Sequence, residues 1–198
     1  MIIPDSLFPQ CGAQIKSYIP GDIIFSEGQY AHFFYQLQEG KIKLNNYNEE
    51  GTEFLQNIVN DGDCFGESIL FTEHAYPMNA EVLEPSTVVK VPKDSFLEIL
   101  AKMPEIWMRL SHRMAERLYF KQIMLQNNAL RSPSSKLLAL LTYFKNISQE
   151  KEPFCFRVNY TRQQLASLTG LSVETVIRTV KQLEKENELQ IKNSKVYL

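Results

Sequence analysis

Glu174 and Arg178 stand four residues apart in a stretch with helical patterning, so a carboxylate and a guanidinium share one helix face. A guanidinium so placed can donate two parallel hydrogen bonds to O6 and N7 of guanine, and a carboxylate can accept from the amino group of cytosine. The same two side chains also make an ordinary solvated i,i+4 pair worth roughly 0.2–0.5 kcal/mol. Which chemistry they perform depends on the element that presents them.

Tyr160-Thr161-Arg162-Gln163-Gln164 opens one short helix, with Thr161 as cap and Gln164 three positions on to return the capping-box bond. Leu165, Ala166 and Leu168 form its apolar side, and Gly170 marks a turn. Ser172 then caps a second helix whose Val176 and Val180 share a face. Two short helices about a glycine turn predict a helix-turn-helix, with the start of the second helix in the major groove. That assigns base reading to Val173, Glu174, Thr175 and Arg178, and phosphate contacts to Thr161, Arg162 and Ser172. Residues 189–198 alternate as two strands about Lys192-Asn193-Ser194-Lys195, a wing whose Lys192 and Lys195 are set to reach phosphates. They are equally the residues that solubility favours at a hairpin tip.

The charge distribution agrees. The net charge of −2 hides seven basic against four acidic residues from Arg157 onward, a local balance of +3 against −5 in the remainder.

The elements that must position this reading head differ in style along the chain. Glycines at 21, 28, 40, 51, 62 and 66 punctuate short segments rich in Ile, Phe, Tyr and Val, which predicts an antiparallel β-sandwich or jelly roll. Strands are expected at 41–44 and 53–59, joined by the polar turn at 48–51. From Pro92 the pattern becomes helical, with a short helix at 93–102 and a long one from Pro104. Ile106, Trp107, Leu110, Met114, Leu118, Ile123, Leu125 and Leu130 recur along about 40 Å of it. One small β-domain cannot cover such a helix, so pairing of two copies as a parallel coiled coil is expected, against packing on its own β-domain alone. The 131–135 segment, Arg131-Ser132-Pro133-Ser134-Ser135, reads as a hinge before the next apolar run. The fold class is therefore α+β, in three parts: 1–103 an N-terminal β-roll, 104–131 a dimerisation helix, 132–198 a C-terminal winged helix-turn-helix.

Three histidines and three dispersed cysteines, without a nucleophile motif, a phosphate loop or metal-ligand spacing, supply no catalytic residue and no metal site. The longest apolar run, 137–141, is far short of the roughly 20 residues a membrane helix needs, so a cytoplasmic protein is expected.

In its order of parts the chain resembles the CRP/FNR family of bacterial transcription regulators over nearly its whole length. The resemblance is carried by Pro20-Gly21-Asp22 with Glu27-Gly28, by Asp61-Gly62-Asp63-Cys64-Phe65-Gly66-Glu67, and most specifically by Thr161 to Ala166 with Gly170 to Arg178. It implies an effector-sensing β-roll, a homodimer, an inverted-repeat operator and action with RNA polymerase. It also implies an effector pocket formed by Gly66, Glu67, Ser68, Met78, Asn79, Lys121 and Gln122. In cyclic-AMP-binding members an Arg-Ser pair holds the cyclic phosphate, whereas this chain has Tyr76-Pro77-Met78-Asn79-Ala80. Lys121 and Gln122 replace the threonine and serine offered to the purine. Without a guanidinium, a buried phosphate loses its charge-assisted partner, so cyclic AMP binding in the usual way is not expected. Cys11 is the one N-terminal cysteine, which excludes the iron–sulfur type, and His74 and His112 are the candidates in range for haem. The cofactor is left unknown, with an unidentified small-molecule effector or none. A ligand-binding module acting through protein contacts is the alternative to a DNA reader.

Overall fold

The structure is a computed structural model that describes every residue except 131, 149 and 151 and the side chain of residue 128. The chain folds as two compact units, Met1–Arg117 and Leu118–Leu198. The boundary falls inside the long helix, whereas the sequence placed its divisions at the two ends of that helix.

The first unit is built on six strands: β1 (Gln14–Tyr18), β2 (Ile23–Phe25), β3 (Phe33–Tyr47), β4 (Glu53–Val59), β5 (Cys64–Phe65) and β6 (Asn79–Pro92). They pair antiparallel in the order β1-β6-β3-β4, with β2 joined to β6 and β5 to β3. The long central pair, β3 and β6, slips register between Leu37 and Ile42. Such bulges bend and twist a strand, and this lets a fifteen-residue strand follow a roll. Gly40 sits in that bend at φ +110°, and a Cβ there would lie 2.5 Å from the Pro85 carbonyl oxygen. Glycine is required at this position by both conformation and space.

The two long central strands send Phe34, Leu37, Ile42, Val82 and Val91 into one core with Phe65 and Phe96, and residues 34–37 are buried without interruption. The buried Gln36 receives Ile2 N and Ile3 N on its side-chain oxygen at 2.8 and 2.9 Å and donates to Ile3 O at 3.0 Å. This ties the N-terminal segment to the central strand and satisfies a polar group inside the core.

Helix α1 (Lys93–Lys102) closes the roll through Phe96 and Leu100, and α2 (Pro104–Asn128) follows after Met103. Ile106 and Leu110 of α2 are buried in the roll's core. Helix α2 ends two residues before Leu130, the last apolar residue expected on it. Helix α3 (Pro133–Ile147) begins as its sequence suggests: Pro133 occupies the first turn and Ser132 caps it by accepting from Ser135 N. Arg131, the first residue of the expected hinge, lies outside the described residues.

In the second unit α3 buries Leu137, Leu140, Leu141 and Phe144, and two further helices, α4 (Arg162–Thr169) and α5 (Val173–Lys185), pack with it. Strands β7 (Gln190–Lys192) and β8 (Lys195–Tyr197) form a hairpin. Asn193 and Ser194 at its tip both have positive φ, as a two-residue hairpin turn matched to strand twist demands. The preceding segment joins it through Val158 N to Val196 O at 2.9 Å and Leu198 N to Phe156 O at 3.0 Å.

Candidate nucleic-acid interface

Both helices of the reading head begin with designed ends. Thr161 Oγ1 accepts from Gln164 N at 3.1 Å while Thr161 N donates to Gln164 Oε1 at 2.8 Å, a complete capping box. Gly170 ends α4 in the left-handed conformation, and Ser172 Oγ accepts from Thr175 N at 3.2 Å to start α5. The Ser172 and Thr175 hydroxyls share a further bond at 2.9 Å. Of the assigned readers, Thr175 is thus engaged in the local cap.

Helix α5 divides cleanly into two faces. Val176, Thr179, Val180 and Leu183 are buried, while Glu174, Ile177, Arg178, Lys181, Gln182 and Lys185 line an open groove of about 540 Å³. Among the described residues neither Glu174 nor Arg178 makes an ion pair or side-chain hydrogen bond, so the solvated pair allowed by their spacing is not formed. Both heads are exposed and uncommitted.

Arg162, at the first turn of α4, is half-buried, and burial pulls its guanidinium below its ordinary value, with no ion pair to a carboxylate among the described residues. A guanidinium held partly out of water without a counter-charge beside free helix N–H groups suits an external anion. At the wing, Lys192 and Lys195 face each other across the last rung, with Lys192 Nζ 5.7 Å from the centre of the Tyr197 ring.

The first unit carries the other candidate site. Gly66, at φ +71°, packs so closely that an added Cβ would stand 3.0 Å from Phe25 and Tyr76, whose rings stack with centroids 3.8 Å apart. The next residue, Glu67, is 2% exposed, and its Oε1 accepts from Arg117 Nη1 at 2.5 Å. Arg117 Nη2 also donates to the Cys64 carbonyl. Burial opposes the charge of Arg117, but Glu67 beside it raises the guanidinium above its ordinary value. Burial, followed by the Glu67 carboxylate, pushes the Cys64 thiol up to about 12. Glu67 Oε2 and the Tyr76 hydroxyl are buried without a hydrogen-bond partner among the described residues.

Residues 15–103 match the family model described as cyclic nucleotide-binding domain, and residues 135–198 match the Crp-like helix-turn-helix domain. The cAMP-activated global transcriptional regulator CRP of Salmonella typhimurium is 29% identical over 176 residues, covering 87% of this chain and 83% of that protein. The fumarate and nitrate reduction regulatory protein of Yersinia pestis is 27% identical, over 87% of this chain and 69% of its own length. The chain belongs to the CRP/FNR family. Members of this family are DNA-binding transcription regulators, not enzymes. The fold is shared with a CooA variant from Carboxydothermus hydrogenoformans, at TM-score 0.80, 15% identity and coverage of 94% and 83% of the two chains. It is shared as well with the c-di-GMP responsive regulator CLP of Xanthomonas campestris, at TM-score 0.75, 17% identity and coverage of 98% and 99%.

Against the family's pattern the sensor residues fall into two groups. Gly66, Glu67, Ser68, Met78 and Asn79 lie in the first unit, whereas Lys121 and Gln122 are exposed residues of the second. Asn79 is committed to the sheet, receiving Glu27 N at 2.9 Å and donating to Asn45 O at 3.3 Å. Ser68 is exposed.

Arg117 was absent from the residues singled out by sequence. A usable signal exists: Arg109, Arg113 and Arg117 recur at four-residue steps on α2, as Asp63 and Glu67 do on the cassette. The structure matches two of these rungs, Arg113 with Asp63 at 3.8 Å and Arg117 with Glu67.

Proposed function

We propose that this chain is a homodimeric transcription regulator that reads an inverted-repeat operator, working with RNA polymerase in the bacterial cytoplasm. The observation that carries this reading is the outward face of α5, where Glu174 and Arg178 are exposed and unpaired. Arg178 serves a guanine and Glu174 a cytosine amino group, with Val173 and Thr175 beside them. Thr161, Arg162, Ser172, Lys192 and Lys195 supply phosphate contacts that set orientation without sequence preference. Two such heads on a two-fold axis call for half-sites about 34 Å apart. No helix among the described residues is long and apolar enough to cross a membrane.

Selection from random duplexes at low salt tests this reading. A recovered palindrome bound far better than bulk DNA is expected, and binding indifferent to sequence or absent altogether would overturn it. The latter result would favour a module that acts through protein contacts.

The sensor is proposed not to take cyclic AMP in the manner of the cyclic-AMP-binding members. Tyr76 and its neighbours stand where a phosphate-binding Arg-Ser would be, and Glu67 is occupied on one oxygen by Arg117. The unpartnered Glu67 Oε2 and Tyr76 hydroxyl suit a neutral hydrogen-bonding effector instead. Micromolar cyclic AMP binding in a calorimetric titration would refute this.

A further inference from the structure

The base-reading set assigned from sequence is entirely polar apart from Val173, yet the exposed face of α5 carries a larger apolar side chain. Of the five apolar residues of α5, Val176, Val180 and Leu183 are buried, Val173 is half-buried, and Ile177 is 42% exposed. Ile177 lies beside Glu174 and Arg178 in the same groove, and half-buried Val173 precedes it by four residues on the helix. The core does not need Ile177 there, and a β-branched residue at an exposed position lowers helix propensity relative to Lys, Gln or Glu. Arg178, Lys181 and Lys185 outnumber Glu174 along this groove, so the face is net cationic and suits an anionic partner.

On the major-groove edge of a duplex, the one apolar group available to such a side chain is the 5-methyl of thymine. We infer that Ile177 is a specificity-determining residue of this regulator, seating the 5-methyl group of a thymine next to the base pair read by Arg178. The inference rests on the DNA-reading function proposed above and adds an A·T preference to the polar code of Glu174 and Arg178.

The test uses the full-length protein and the duplex selected by it, with each thymine replaced in turn by deoxyuridine, which removes the methyl group and nothing else. At one position in each half-site, replacement should weaken wild-type binding about fourfold, the worth of one buried methyl-sized group. Ile177→Ser should bind the thymine and uracil duplexes equally at that position, at the weaker level, with an unchanged melting temperature because the side chain is outside the core. Arg178→Ala should keep the uracil penalty while losing preference at its own base pair. A selected duplex without a uracil-sensitive thymine, or a penalty that persists in Ile177→Ser, overturns the inference alone. Failure of the wild type to select any duplex overturns it together with the function on which it rests.

Discussion

Arg178 and Arg162 carry the same charge but are held differently, and the difference sets what each loss should do. Arg178 is exposed and aimed outward from the first turns of α5, so Arg178→Ala should cost roughly 1–3 kcal/mol of specific binding and relax selection at one base pair. Fluorescence anisotropy on a panel of single-base variants reads this out, and equal losses on every duplex would contradict it. Arg162 is half-buried and uncompensated, so Arg162→Ala should weaken binding to all sequences alike and lower the salt slope by about 1. Removing a partly desolvated charge that lacks an internal partner should leave the melting temperature of the free protein equal or higher. A drop in melting temperature would show that the guanidinium serves the fold.

Among the elements, the tie between the cassette and α2 is the most demanding. Arg117→Met leaves the Glu67 carboxylate buried without its partner, which should destabilise the protein by about 3 kcal/mol or more in urea unfolding. Replacing both residues with methionine should recover much of that loss; a single replacement as stable as the wild type would mean the pair is not formed in solution. The two ends of the molecule differ in how far such features were legible. Residues 161–185 were readable because caps, glycine turn and apolar spacing act within a few positions, and α4 and α5 start where Thr161 and Ser172 place them. Strand Glu53–Val59 and helix Lys93–Lys102 were readable for the same local reason. The Glu67–Arg117 pair spans fifty positions; the four-residue steps of Arg109, Arg113 and Arg117 signal a charged helix face, but which carboxylate each meets depends on how the helix docks. The commitment of Thr175 to its cap was likewise hidden, because a threonine at the start of a helix suits either a cap or a base.

For the whole molecule, reading a palindrome depends on two copies joined, and the proposed dimer would use the exposed apolar residues of α2. Leu118 and Leu125, one heptad apart, are 59% and 70% exposed, with Tyr119 beside them. Aspartate at both positions should shift the protein to monomers in sedimentation experiments and remove operator binding while leaving the β-roll folded. A double variant that stays dimeric would place the contact elsewhere. The Arg117–Glu67 pair bears on how such a dimer responds to its surroundings. Any ligand that needs both oxygens of Glu67 competes with a side chain of the protein itself, present at a concentration no solute can match. If opening the pair costs ~3 kcal/mol, on the order of one molecule in a hundred has it open, and the apparent affinity of that ligand falls by the same factor. Sensitivity to such a signal is therefore set by the strength of an internal rival, and can be raised or silenced by changing one residue that the ligand never touches.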